Sequence, residues 1–301
     1  MKHLLSIGDL TRDDVERILD SAAALAEIDE KLPTLKGKLV LNLFFESSTR
    51  TSSSFELAAK KLSADVLSLK AAGSSVDKGE SLKDTVLTLA AYEPHAIVVR
   101  HPQIGAPELV ARYSDAAIVN AGDGKHQHPT QALLDLFTMR DALGSLDGLH
   151  VAIVGDVLHS RVARSLVQAL ALVGSRTTLV GPPTLLPRGI KALGCETSTD
   201  IGSIETADVV YVLRLQRERM ESAYVPSLRE YAARWGITPG RIRPGQKVMH
   251  PGPINRGVEI DARVADSPDS LILAQVSSGL AVRMAVLQEL LVARPALEVV
   301  A

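Results

Sequence analysis

Short apolar runs alternate with stretches of helical period along most of this chain, and that alternation restricts the fold more than any other feature. Leu39–Phe44, Ala64–Leu69, Ala96–Arg100 and Ala117–Asn120 read as buried strands. Helical patterns follow each of them, over Ser52–Leu62, Ser81–Tyr92, Ala106–Tyr113 and Pro129–Leu143. Parallel neighbours need a crossover connection, so strands alternating with helices predict an open parallel sheet. The turn-rich segment Gly144–Gly148 interrupts the pattern, and a second unit follows. It reads as strand His150–Gly155, helix Arg161–Val173, and strands Thr177–Val180, Asp208–Leu213 and Gln246–Met249. A long helix near Gln275–Val292 closes the chain, and a capping-box-like start at Thr11–Asp14 opens one whose apolar face includes Val15, Ile18, Leu19, Ala22 and Leu25. The expected fold class is α/β, with two similar open parallel-sheet domains linked by helices and a boundary near residues 143 and 144.

Composition excludes several functions. A chain of 301 residues with 46% hydrophobic and 23% charged residues can bury two ordinary cores. Its net charge of −2 provides no general attraction for nucleic acid or an anionic membrane, and 3% aromatics argue against base-stacking platforms. Functional arginines must therefore act locally. One cysteine, Cys195, permits no internal disulfide, which fits a reducing cytoplasm, and no Cys/His cluster has zinc spacing. Cys195 reads as a packed or surface residue rather than a nucleophile. The N-terminus lacks a signal-peptide core, and no apolar run reaches the ~18 residues of a membrane span. Neither a Walker A sequence nor a G-x-G-x-x-G fingerprint appears, which disfavours ATP and dinucleotides.

Ligands of open parallel sheets sit beyond the carboxyl ends of the strands, and the polar clusters fall there. Glu46–Ser52 follows the first strand, and its Ser48-Thr49-Arg50-Thr51 core joins hydroxyl donors and a guanidinium to a helix start, suited to phosphate or another compact oxyanion. The alternative is a plain Ser/Thr helix cap. Arg100 ends the third strand as a second arm on the same anion or as a surface charge. His128 and Gln131 open the helix after the fourth, His128 as donor to a polarised carbonyl or as a capping residue, Gln131 as ligand or as a solvent-facing amide. Lys78, in the polar loop Gly73–Gly79, is either functional or solvated. In the second unit, Arg161, Arg214 and Gln216 are carboxylate clamps or members of ordinary salt bridges. Arg217, Glu218 and Arg219 read as a solvated face. The turn His250-Pro251-Gly252-Pro253 offers fixed backbone carbonyls. Strand ends of two domains facing one another would form one cleft.

Taken in order, Ser48-Thr-Arg-Thr51, Arg100-His-Pro102, His128-Pro-Thr-Gln131 and Arg214-Leu-Gln216 make the chain similar to the aspartate/ornithine carbamoyltransferases over nearly its whole length. The ornithine enzymes usually carry His-Cys-Leu-Pro where this chain has His250-Pro-Gly-Pro253, and an arginine suits a dicarboxylate acceptor better than a cationic one. Gly252 departs from the Leu common in some aspartate enzymes, although a turn carbonyl still serves there. The resemblance therefore implies transfer of the carbamoyl group of carbamoyl phosphate to L-aspartate, in pyrimidine biosynthesis, without metal or cofactor. A carbamoyltransferase with another amine acceptor, a catalytically silent scaffold homologue and a plain phosphate-binding α/β protein are the rival readings.

The same resemblance implies the residue roles. Ser48, Thr49, Arg50 and Thr51 hold the phosphate. Arg100, His128 and Thr51 approach the carbamoyl oxygen, and Gln131 with the carbonyls of Pro251 and Gly252, near Pro253, holds the carbamoyl NH2. Lys78, Arg161, Arg214 and Gln216 bind L-aspartate, with Lys78 and Ser74 reaching in from a neighbouring subunit. It also implies a carbamoyl phosphate domain of residues 1–143 completed by 275–301, an L-aspartate domain of 144–274, and an active site in the interdomain cleft. A cytoplasmic homotrimer is the expected minimum assembly, with regulatory chains or a dihydroorotase as further partners left open.

Overall fold

The structure, a computed structural model, describes residues 1–70, 79–216 and 224–292. Ser74, Lys78 and Arg217–Arg219, singled out from the sequence, lie outside the described residues. The chain forms two compact units: Met1–Leu5 with Arg17–Ala121 and Leu280–Ala301, and Ser6–Glu16 with Gly122–Gly279.

The first unit is built on strands β1 (Leu39–Phe44), β2 (Asp65–Lys70), β3 (Ala96–His101) and β4 (Ala117–Asp123), in the spatial order β2-β1-β3-β4. Strand β1 pairs in parallel with β2 on one side and β3 on the other, with Phe44 opposite Arg100. The apolar runs are the reason for these central strands. Leu41, Leu43, Ile97, Val99 and Ile118 form one core with Val86 and Leu89 of α3 (Leu82–Ala90) and Val110 of α4 (Ala106–Tyr113).

The second unit contains β5 (His150–Val154), β6 (Arg176–Val180), β7 (Glu196–Ser198), β8 (Val209–Val212) and β9 (Lys247–Met249), in the order β7-β6-β5-β8-β9 with every pair parallel. Ala152, Val154, Val180, Val210, Val212 and Val248 form its core with Ile237 and Ile260. Helices α5 (Pro129–Leu143) and α6 (Arg161–Leu172) belong to this unit. Helix α5 is buried continuously from Pro129 to Met139 even though Gln131, Asp135 and Thr138 are among those residues.

The α/β class and the strand and helix alternation match the sequence reading, most elements to within two residues. Two departures are instructive. Helix α2 runs from Thr49 to Lys61, three residues earlier than the apolar periodicity marks, because its first turn is made of Thr and Arg rather than apolar residues. Strand β7 and helix α7 (Leu228–Trp235) carry little apolar signal: β7 is a three-residue edge strand with no buried residue, and α7 buries only Tyr231. No described helix is long and apolar enough to cross a membrane. Cys195 is buried, with its Sγ directed at the Ile190 carbonyl at 3.5 Å, and burial pushes the thiol up, away from nucleophile chemistry.

The capping box of α1 (Arg12–Ala26) is formed as the sequence indicates. Asp14 N donates to Thr11 Oγ1 at 3.2 Å, and Thr11 N donates to Asp14 Oδ2 at 3.0 Å. Thr11→Ala removes the hydroxyl half of this exchange and should lower stability by about 1 kcal/mol. The check is a lowered denaturant midpoint with unchanged slope.

Candidate active site

In the first unit the connections from β1 and β3 depart in opposite directions, β1 leading to β2 and β3 to β4, so the carboxyl ends of β1 and β3 flank a topological switch point. Ser48 is the N-cap of α2, and Thr49, Arg50 and Thr51 are its first three helical residues. Ser48 makes no side-chain capping bond. The plain-cap reading therefore fails for Ser48. The first i→i−4 bond runs from Ser52 N to Ser48 O at 3.2 Å. The N–H groups ahead of it have no helical acceptor, and the positive end of the helix dipole lies among them. Arg50 is exposed and Thr51 buried.

Arg100 stands beside this turn across the β1–β3 pairing. Its Nη1 lies 3.5 Å from Thr51 Oγ1 and from the Ala121 carbonyl, and its Nε donates to Glu46 Oε2 at 3.2 Å. The Arg100 side chain is only 15% exposed, so the surface-charge reading fails. Glu46, at the start of the same turn, fixes the orientation of Arg100. Next to Arg100, His101 is buried against the Phe45 ring, 4.7 Å between centroids.

In the second unit, His128 is the N-cap of α5 and is buried, but its ring makes no capping bond. Its backbone N–H donates to Ser165 Oγ at 2.8 Å, and Ser165 donates to Gln127 Oε1 at 2.6 Å, which ties the start of α5 to α6. Gln131 does not face solvent. It is buried, and its Nε2 donates to Asp135 Oδ1 at 3.0 Å, one turn along the helix. The same Asp135 oxygen accepts from Gln275 Nε2 at 2.7 Å, and the other accepts from Tyr211 OH at 2.7 Å. Burial, then the Asp135 charge, holds the Tyr211 phenol well above its ordinary value. Gln275 Oε1 in turn accepts from His250 N at 2.9 Å. The turn that begins at His250 carries Gly252 at φ +63°, and Gly252 N donates to His250 Nδ1 at 2.8 Å.

The second switch point lies between β5 and β8. Arg161 begins α6 behind a Ser160 cap and is buried, with Nη1 donating to the Gly124 carbonyl at 3.2 Å. Gly122, at φ +117°, lets it approach: a Cβ there would lie 2.8 Å from Arg161 Nε. Arg214 and Gln216 follow β8, both half-buried. Buried Asp156, after β5, accepts from Gln216 N at 3.1 Å and from both the N–H and Nδ1 of His159, at 3.2 and 2.8 Å. Glu259 Oε1 accepts from Asn255 N at 2.5 Å and lies 3.3 Å from His250 Nε2. Burial, with the Asp156 and Glu259 charges behind it, pushes the Tyr231 phenol up.

The structure thus groups Ser48, Thr49, Arg50, Thr51 and Arg100 in one unit, and His128, Gln131, Arg161, Arg214, Gln216 and Pro251–Pro253 in the other. Sequence reading assigned no role to Glu46, Asp135, Asp156, Tyr211, Glu259 or Gln275. Asp135 did carry a signal: it is the single charge in the apolar run Ala132–Phe137.

Residues 2–141 match the family model for the aspartate/ornithine carbamoyltransferase carbamoyl-P binding domain, and residues 147–290 match that for the Asp/Orn binding domain. The aspartate carbamoyltransferase catalytic subunit of Acidothermus cellulolyticus is 56% identical over 97% of this chain and 93% of its own. That of Thermobifida fusca is 54% identical over 97% and 96%. Among solved structures, the Trypanosoma cruzi aspartate transcarbamoylase in complex with carbamoyl phosphate and aspartate superposes with a TM-score of 0.89 at 34% identity, covering 96% of this chain and 97% of that one. The catalytic subunit of M. Jannaschii aspartate transcarbamoylase gives 0.85 at 38%, covering 96% and 98%. With both family models matched in order, and relatives more than half identical over nearly its whole length, the chain belongs to the aspartate/ornithine carbamoyltransferase family.

Proposed function

We propose that the chain transfers the carbamoyl group of carbamoyl phosphate to the amine of L-aspartate, giving N-carbamoyl-L-aspartate and phosphate, as a step of pyrimidine (UMP) biosynthesis. One observation carries this reading: Ser48-Thr49-Arg50-Thr51 caps and opens α2 at a switch point, with Arg100 Nη1 3.5 Å from Thr51 Oγ1. A helix start with hydroxyls and two guanidinium groups suits the phosphate of an acyl phosphate, and Arg100 and Thr51 together suit its carbonyl oxygen. The relatives named as aspartate enzymes support L-aspartate as the acceptor.

In this reading Ser48, Thr49, Arg50 and Thr51 hold the leaving phosphate. Arg100, Thr51 and His128 stabilise the oxyanion that forms when the amine attacks, with His128 as hydrogen-bond donor rather than base. Gln131 and the Pro251–Pro253 turn hold the carbamoyl NH2, and Arg161, Arg214 and Gln216 hold the two carboxylates of aspartate. The acyl phosphate is already activated, so attack by the amine needs no covalent enzyme intermediate. Holding two mutually repelling anions in line contributes roughly 7–11 kcal/mol, against roughly 3–4 kcal/mol for one oxyanion donor. Positioning is the larger share.

We assign the carbamoyl phosphate role to residues 1–143 with 275–301, and the aspartate role to 144–274. The family models meet between residues 141 and 147, in keeping with that boundary. We further propose a cytoplasmic homotrimer in which Ser74 and Lys78 complete the site of a neighbouring subunit, as the family resemblance implies.

Arg50→Ala should lower kcat by about 100-fold or more with the fold intact, since a charged donor to the leaving phosphate is lost. Steady-state rates with circular dichroism check this, and near-normal turnover overturns the assignment. Arg214→Ala should raise the aspartate KM roughly 10- to 100-fold, the worth of hydrogen bonds to a charged group, and leave carbamoyl phosphate binding unchanged. Initial rates against aspartate concentration decide it. Mixing inactive Lys78→Ala chains with inactive Arg50→Ala chains should restore activity in hybrid trimers, and no recovery in hybrids verified by mass spectrometry argues for self-contained sites.

A further inference from the structure

Asp135 is a fully buried carboxylate on α5 that the proposed reaction does not use directly. Three donors converge on it: Gln131 Nε2 at 3.0 Å, Gln275 Nε2 at 2.7 Å and Tyr211 OH at 2.7 Å. Both glutamine amides also act on the Tyr211 hydroxyl, favouring its ionised form against the larger effects of burial and of Asp135. A carboxylate only accepts, whereas a primary amide has one donor end and one acceptor end. Asp135 therefore fixes the sense of both amides. Gln131 turns its NH2 inward, which leaves Oε1 as the end it can offer a ligand. Gln275 also turns its NH2 to Asp135, and its Oε1 takes the N–H of His250 at 2.9 Å, at the root of the Pro251–Pro253 turn.

We infer that Asp135 is a positioning residue for acyl-group specificity: by polarising Gln131 and anchoring the 250–253 turn through Gln275, it makes both arms present acceptors, selecting an acyl phosphate that bears NH2 over one that bears CH3. This rests on the reading of Gln131 and the turn as carbamoyl NH2 ligands. With the carboxylate removed, the Tyr211 hydroxyl is free to donate to Gln131 Oε1 as readily as to accept from its NH2. The Gln131 amide then loses its fixed sense, and a donor facing the carbamoyl NH2 repels it. Acetyl phosphate has the same phosphate and carbonyl without that NH2, so its binding does not depend on the sense of the amide.

The test is equilibrium binding of carbamoyl phosphate, acetyl phosphate and inorganic phosphate to the full-length protein and three variants, by calorimetry at low temperature. Asp135→Ala should weaken carbamoyl phosphate by about tenfold or more, the value of one well-made hydrogen bond and its misdirected counterpart, while acetyl phosphate and phosphate hold constant. Asp135→Asn keeps an acceptor oxygen toward the two glutamines but turns its NH2 on the Tyr211 hydroxyl, and should recover part of the preference. Gln131→Met should reduce the preference as Asp135→Ala does. An unchanged preference in Gln131→Met overturns the reading of Gln131, and the inference with it. A reduced preference in Gln131→Met with none in Asp135→Ala overturns the inference alone. Equal weakening of all three ligands in Asp135→Ala also overturns it, since that is the result of a purely structural role. If Asp135→Ala does not fold, Gln275→Met carries the test: selective loss of carbamoyl phosphate supports the inference, and equal loss of the three ligands overturns it.

Discussion

The geometry of a parallel sheet at the point where its connections reverse governs where chemistry can stand in this protein. Wherever neighbouring strands send their chains away in opposite directions, no loop closes over their shared carboxyl end. This happens between β1 and β3 in one unit and between β5 and β8 in the other. Helix α2 and Arg100 occupy the first opening, and Arg161, Arg214 and Gln216 follow the strands that flank the second. Register then does the rest: Phe44 pairs with Arg100, so the guanidinium emerges level with the helix start and reaches Thr51 without any specialised loop.

The two openings solve different electrostatic problems. In the first unit the described groups at the opening are cationic or dipolar apart from the carboxylate of Glu46, which accepts from Arg100 Nε. A guanidinium has five donors, so one held by Glu46 still has others to offer a ligand. Among the described residues the second unit buries four carboxylates, Asp123, Asp135, Asp156 and Glu259, none more than 1% exposed. A buried carboxylate is costly unless donors surround it, and removing one partner of such a set costs more than the set itself contributes. Each is partnered by groups of the loops to which ligand roles are proposed: His126 and Gln127, Gln131 and Gln275, His159 and Gln216, His250 and Asn255. Their role is therefore to hold loops still rather than to stabilise the fold at large.

The sequence made the scaffold and the outermost ligands legible for the same reason. Strands buried on both faces appear as apolar runs, and polar clusters placed just after them mark the ligand side. Ser48–Thr51, Arg100, His128 and Arg214 were visible because a polar residue stands out against an apolar background. Residues whose partners are distant in the chain were not visible. Asp135 and Tyr211 are 76 residues apart, Asp135 and Gln275 are 140, and Asp156 and Gln216 are 60. No spacing rule links such pairs, because only the folded sheet order brings β5, β8 and α5 together. The start of α2 was misplaced for a local reason: apolar period defines where a helix packs, and the first turn of α2 is made of Thr and Arg rather than of core residues.

A buried polar hub has a consequence that an apolar core lacks. Leucines in place of Asp135, Gln275 and Tyr211 could fill the same volume, but no apolar contact distinguishes the two ends of an amide. Discrimination between NH2 and CH3 depends on whether a donor or an acceptor meets the ligand, and a site that hydrogen-bonds a substrate NH rejects the analogue without it far more strongly than a hydrophobic pocket can. The desolvation cost of Asp135 inside α5 is thus tied to the polarity of Gln131 at the end of the same helix turn, and the continuous burial of that helix from Pro129 to Met139 keeps water from offering the amide a second choice.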